Sequence, residues 1–459
     1  MRIEDRSGAI RMTRHMRLSV WKWPMFLVAI ALGVCTAQTL SAKEEITAIK
    51  GGDLYTITSG IIKNGTILIK DGKIWKLGQN LDVPKGANVV DAGGKVVMPG
   101  LVAASTMYMP AAGFAPDKIA DSLDPFNYSI SLALASGVTS IFLSGRGPSG
   151  REPIGGTNAV IKPTYGDLDG MVVAEPVAEN ANIGSGRWMQ RTDFVLKMRE
   201  ARDYLRRLAD HEKAKEKNEK AEAPKKPSGI DPYLRLLRRE TPARVTAMTA
   251  SDILKALELV DEFPFRLIIE DATEAWTVAE EIAARDVALI VTPRAKQRPN
   301  EWISHPSGSN VENAAILKKA GVKFAIIPAT PYFALWGIAG RDLMTLPMEA
   351  AFAVSGGLDE QTALEAITIT AAEILGFNDR VGSLQEGKDA DIIVLDGHPF
   401  HYNTFVELTF VNGKLMYDKS KSTYFSHIRN YDGKVNEPSL DAVPEDSPLR
   451  PDMMAQEPL

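Results

Sequence analysis

The chain has 459 residues, 45% of them hydrophobic and 24% charged, with a formal net charge of −5. This is an ordinary globular composition with material for a large core. The acidic balance excludes a nucleic-acid footprint, and no polybasic patch points to a membrane surface.

The first segment reads as a targeting signal. Arg14, Arg17 and Lys22 precede an apolar run from Met25 to Cys35, followed by small and polar residues up to Ser41-Ala42. A basic start, a short apolar stretch and an Ala-ended polar stretch make a secretory signal over residues 1–42, cleaved after Ala42 or Ala37. The apolar run is too short to span a bilayer, which needs about 20 residues. The protein is therefore expected to be exported, to a periplasm or beyond the cell. Cys35 is the only cysteine, so cleavage leaves a mature chain without thiol or disulfide. Lipidation of Cys35 is the competing reading, but Val34 stands where a lipoprotein signal calls for Gly, Ala or Ser.

From Ile46 to Val97 the pattern is short strands with Gly and Asp turns. Ile67 to Ile74 is a hairpin around Asp71-Gly72, and Phe410 to Tyr417 repeats the signal around Asn412-Gly413. Asp391 to Leu395 reads as a buried strand. These segments predict one composite β-sandwich built from both chain ends, residues 43–98 and 377–435.

Between them, residues 99–376 alternate apolar strand-like runs with helical stretches. The runs are Val97–Val102, Val138–Leu143, Ala159–Lys162, Met171–Glu175, Ala243–Ala247, Arg266–Glu270, Val287–Val291 and Lys323–Ile327. Eight such runs predict an α/β fold, a (β/α)8 TIM-like barrel. The stretch from Pro163 to Gly170 is too short for a crossover helix, which makes the third and fourth runs the weak joint. Phe194 to Leu208 is amphipathic and continues into a Lys-, Glu- and Ala-rich insertion, residues 209–228, expected to be solvated. The Pro-rich acidic tail, residues 436–459, is expected to be disordered.

Three blocks carry a resemblance. The first is Asp71-Gly72-Lys73-Ile74 with Gly94 to Leu101. The second is Leu364 to Thr368 leading to Ala372-Glu373-Ile374-Leu375-Gly376. The third and most specific is Gly382 to Asp391. With these, the chain resembles the amidohydrolase superfamily, in the branch similar to imidazolonepropionase and related periplasmic amidohydrolases. The resemblance implies a TIM-like barrel with a composite β-domain. It also implies a hydrolase of carbon–nitrogen bonds whose Zn²⁺ or other divalent metal is held by His-x-His on the first strand, one His each on strands five and six, and an Asp after strand eight. Imidazoles and a carboxylate hold the metal there and leave one position open for an activated water.

This sequence departs from that pattern at every expected ligand. Ser105 and Met107 occupy the His-x-His positions, Thr246 the strand-five position, Asp271 the strand-six position and Ala329 the place of the Asp. The expectation is therefore no metal and no cofactor. None of the six histidines restores the set. His15 leaves with the signal, His211 reads as a solvated residue, His398 and His401 as turn residues, and His427 lies near the tail. Only His305 falls on a loop at the C-terminal ends of the strands. A residual site is drawn from Lys162, Glu175, Glu270, Asp271 and His305, with Glu274 beside them; the opposing reading sends Glu270 and Glu274 to helices or solvent and lets Asp271 cap a helix.

Three functions follow. One is a degenerate, non-catalytic paralogue that binds or assembles, with an active amidohydrolase relative or a second copy as partner. Another is an active hydrolase of cyclic amide-like C–N bonds with a rearranged metal site. The third is a metal-free barrel binding a small solute. Fold alone does not choose among them.

Overall fold

The computed structural model describes residues 46–107, 118–144, 152–156, 158–168, 170–183, 187–217, 222–333 and 343–422. The expected signal with Cys35, His427 and the expected tail lie outside these residues.

The chain opens with an antiparallel meander, β1 (Thr47–Tyr55), β2 (Ile61–Lys70) and β3 (Lys73–Gln79). The other edge of β1 is shared. β4 (Asn88–Asp91) pairs with its first half and β5 (Val96–Pro99) with its second, both in parallel. The partner changes where β1 bulges at Gly51 and Gly52. Gly51 has φ 85°, and a Cβ on Gly52 would lie 2.5 Å from Val97 Cγ2. Only glycine permits both the bend and the approach.

The next sheet contains β6 (Leu101–Met107), β7 (Val138–Ser144), β8 (Asn158–Ile161) and β9 (Val172–Ala174), with α1 (Tyr128–Ala135) between the first two. A third sheet is wholly parallel: β10 (Glu179–Ala181), β11 (Ala243–Thr246), β12 (Leu267–Glu270), β13 (Val287–Val291) and β14 (Lys323–Ile326). Helices α2 (Trp188–Glu216), α3 (Asp231–Leu237), α4 (Ala250–Glu262), α5 (Ala279–Ala283) and α6 (Asn313–Ala320) connect these strands. The start of α4 shows how sequence sets them: Thr249 accepts from the Asp252 amide, and Ile253, Ala256 and Leu257 give one buried face.

Alternate residues of both sheets go to opposite sides. Leu267 and Ile269, Leu289 and Val291, Phe324 and Ile326 pack outward with the helices. Val102, Ala104, Phe142, Val160, Ile268, Ile290 and Ala325 form a separate inner cluster. The two sheets therefore enclose one apolar interior, as period-two alternation requires. Asn158 joins them: its Nδ2 donates to the Ala178 carbonyl at 2.8 Å, and its Oδ1 accepts from the Val177 and Ala178 amides.

After α7 (Leu346–Ser355) and α8 (Glu360–Ala366), α9 (Ile369–Leu375) adds Ala371, Ala372, Ile374 and Leu375 to the inner cluster. It lies by the first residues of β14 and β6, where Lys323 pairs with Glu373 at 2.8 Å and the Val102 amide donates to Ile367. The N-terminal ends of the strands are thus plugged by a helix.

β15 (Ile392–Leu395), β16 (Val406–Val411) and β17 (Lys414–Asp418) then join the first sheet through β5, giving eight strands from both chain ends. Both hairpin turns are as expected, with φ 52° and 75° at Asp71 and Gly72, and 48° and 75° at Asn412 and Gly413. A Cβ on Gly413 would lie 2.9 Å from Gly72 Cα. On a flat sheet these turns would stand about five strand spacings apart, roughly 24 Å. The sheet is therefore one hydrogen-bonded surface that rolls until its ends meet, rather than two separate layers.

Three expectations are corrected. The third and fourth runs are not parallel barrel strands: β8 runs antiparallel to both β7 and β9, because the connection between them is too short to cross over. The strand entering the parallel sheet is the unforeseen β10. The amphipathic stretch is part of a longer helix that carries its charged run to Glu216, and His211 on it is buried, not solvated.

Candidate functional site

In α/β folds with parallel strands, chemistry belongs at the C-terminal ends of those strands. There the inward face of β11 carries Arg244 and Thr246, two residues apart and so on one side of the strand. Arg244 is buried and reaches across the interior, where Nη2 donates to the Ala104 carbonyl of β6 at 2.8 Å. The same nitrogen pairs with Glu270 of β12. The guanidinium lies over the Phe142 ring of β7, 3.8 Å from its centroid. Nη1 has no hydrogen-bonding partner among the described residues. One side chain thus ties together four strands from two sheets.

The expected ligand positions surround this pair. Thr246 stands opposite Glu270 in the β11–β12 register and is exposed. Asp271 follows Glu270 with φ 54° and is open to solvent at the mouth. Desolvation by the surrounding protein, then the neighbouring Glu270 carboxylate, pushes its pKa up against the pull of Arg244. Ser105, next to Ala104, is buried, and Met107 ends β6. Ala329 is exposed beyond β14 and offers no donor.

This donor set does not fit the divalent ion that the fold implies. It offers two hydroxyls, a thioether, a methyl group and one carboxylate, beside a guanidinium. Transition-metal sites of this type need three or more imidazole, thiolate or carboxylate ligands. Among the described residues no group of three or more His, Cys, Asp or Glu is placed to hold a metal.

The remaining candidates disperse. Lys162 is at the opposite end of the molecule from the mouth, because β8 runs in reverse. It is fully buried and binds Asp389 at 2.7 Å, Asp391 at 3.0 Å and Asn412 Oδ1 at 2.6 Å, joining the enclosed core to the rolled sheet. Glu175 accepts from the amides of Ile119 and Ala120, fastening residues 119–122 against the end of β9. His305 sits on an exposed loop with Nδ1 2.8 Å from the Pro306 carbonyl. Glu274 accepts from the amides of Ala250 and Gly308 and from Gln297, so it braces two loops. Of the residual set, only Glu270 and Asp271 share a place. Glu270 turns to the interior side of β12 and is half-buried there, and among the described residues Asp271 makes no side-chain cap.

Arg244 was the residue that sequence reasoning missed. Its signal was present: an arginine two positions before Thr246, between Ala243 and Val245, must share the inward face of its strand.

A core enclosed by one parallel and one mixed sheet, plugged by a helix at the N-terminal strand ends and joined to a sheet from both ends of the described chain, is the kind of scaffold found in solved amidohydrolases. Residues 253–416 match the amidohydrolase family. The solved amidohydrolase of Thermotoga maritima superposes with a TM-score of 0.65 at 26% identity, over 81% of this chain and 100% of that one. Imidazolonepropionase of Thermoplasma volcanium is 43% identical over 68 residues, 13% of this chain and 17% of that protein. Dihydroorotase of a Geobacter species is 46% identical over 54 residues, 12% of this chain and 13% of that protein. These curated relatives are matched over less than a fifth of their length. In this matched segment and in its fold, the chain is similar to proteins of the amidohydrolase superfamily.

Proposed function

We propose that this protein is an exported, metal-independent and non-catalytic member of the superfamily, a (β/α)8-type barrel with a composite β-domain that acts by binding or assembly. The observation that carries the reading is the donor set: five former ligand positions supply a single carboxylate, Asp271. Several kcal/mol of Lewis-acid stabilisation has no replacement at the mouth. Export rests on the basic, apolar and Ala-ended pattern of residues 1–42. Partners of fitting chemistry are a small solute at the mouth, an active relative or a second copy.

Metal analysis of the purified mature protein, with C–N hydrolysis assays, tests this. The expected result is metal far below one equivalent and no hydrolysis. One equivalent of Zn²⁺, Mn²⁺ or Fe²⁺ held at the mouth overturns the reading. One observation favours the alternative, an active hydrolase of cyclic amide-like C–N bonds with a rearranged site: Asp271 is a mouth carboxyl with its pKa pushed up, the state a general acid needs. That alternative requires an activity that Asp271→Asn abolishes.

A further inference from the structure

The place a metal would fill is not simply vacated. Arg244 lies one strand position pair below Thr246; Glu270 immediately precedes Asp271; Ala104 immediately precedes Ser105. Three of the five former ligand positions therefore adjoin the atoms of one guanidinium contact. Its partners lie on β6, β7 and β12 and Arg244 itself on β11, so strands from both sheets meet at it. A bound cation on such a scaffold does two things: it neutralises inward carboxylates and it cross-links strands. Arg244 does both, with Glu270 as the carboxylate and the Ala104 carbonyl as the cross-link.

We infer that the Arg244 guanidinium is a built-in cation standing where the scaffold would otherwise hold a divalent metal, and that its charge keeps such ions out. The inference rests on the metal-independent reading above and deepens it. Coulomb's law gives the direction: a fixed positive charge paired with Glu270 and acting on Asp271 repels a second cation, most strongly where water is scarce. The residue differs from an ordinary buried ion pair in one respect. If the position is a cation position, removing the guanidinium charge leaves the Glu270 carboxylate uncompensated beside Asp271 and Thr246, too few ligands for a resident metal but enough for Mn²⁺ at millimolar concentration to bind weakly with water as its remaining ligands.

The test uses the mature protein, with thermal midpoints measured with and without millimolar MnCl2. Arg244→Gln keeps a donor for the Ala104 carbonyl and loses the charge; Arg244→Lys keeps the charge. The expected result is a lowered midpoint for Arg244→Gln that Mn²⁺ raises. Wild type, Arg244→Lys and the double variant Arg244→Gln with Glu270→Gln are expected to show no Mn²⁺ shift. Should Arg244→Gln not fold in the absence of metal, refolding yield with and without Mn²⁺ gives the same comparison. An equal Mn²⁺ shift in wild type and Arg244→Gln overturns the inference, because the guanidinium then excludes nothing. No shift in Arg244→Gln overturns it too, reducing Arg244 and Glu270 to a structural pair. The metal-independent reading fails separately, on the metal content of the protein as purified.

Discussion

Lys162 shows how a single side chain can be singled out from sequence and yet be placed at the wrong end of its strand. A lysine at the end of an apolar run invites a functional reading, and its strand end looked like the barrel mouth. The reversal of β8 takes it to the other end, where it is buried against Asp389 and Asp391. Breaking a buried pair from one side leaves uncompensated charge and costs about 3–5 kcal/mol. Lys162→Met is therefore expected to destabilise the protein by that order in urea unfolding near pH 7. Burial works to raise the Asp389 carboxyl, but the hydrogen bond and charge of Lys162, with Arg380 and Lys73, hold it below its ordinary value of 3.8. A carboxyl depressed in the folded state adds stability above its ordinary value, lost as pH falls through the folded value. Asp391 has the opposite sign, since burial raises it against the pull of Lys162. Taking Lys162 away removes the favourable partner of both ionised groups. The penalty of Lys162→Met should accordingly shrink as the pH drops below about 4; a penalty that stays constant across that range would remove the ion pairs from the explanation.

At the scale of elements, turn chemistry was the most legible part of the sequence. Asp71-Gly72 and Asn412-Gly413 gave both hairpins with their left-handed backbone, because few residue pairs tolerate positive φ twice. Their meeting was not legible, since rolling depends on the divided edge of β1 and on pairing between β5 and β15. The direction of β8 was hidden for a related reason. A strand of four residues, Asn158–Ile161, carries no mark of its direction, and only the short connection after it argued against a crossover. The adjacency of the turns is testable. A Cβ on Gly72 would lie 2.9 Å from the Asn412 carbonyl oxygen, and one on Gly413 2.9 Å from both Gly72 Cα and Ile69 Cγ2. Gly72→Ala and Gly413→Ala should each cost about 1–3 kcal/mol through strain and clash. The double variant should cost less than the sum, because the first substitution already separates the turns. Strict additivity in denaturant melts would mean that the two turns do not touch.

At the scale of the whole molecule, the two ends of the chain are not an appendage to the enclosed core. β5 receives β15 on one edge and β1 on the other, and leads through Gly100 into β6, the first strand of the core. A Cβ on Gly100 would fall 2.0 Å from Thr139 Oγ1, so the junction leaves no room for a hinge side chain. From the other direction, Lys162 of the core depends on Asp389 and Asp391, which precede β15, and β15 itself sends Ile393 and Leu395 into the outer cluster around the helices. Loss of residues 377–459 would strip one edge of β5 and leave the Lys162 ammonium buried without its carboxylates. The enclosed core, though nearly complete in sequence, should then fail to hold: such a fragment is expected to lack cooperative melting and near-ultraviolet dichroism. The intact protein should unfold in one calorimetric transition, with Lys162→Met lowering its midpoint without splitting it. Two resolved transitions in the intact chain would show instead that the rolled sheet and the enclosed core are independent, and that the buried charges between them couple nothing.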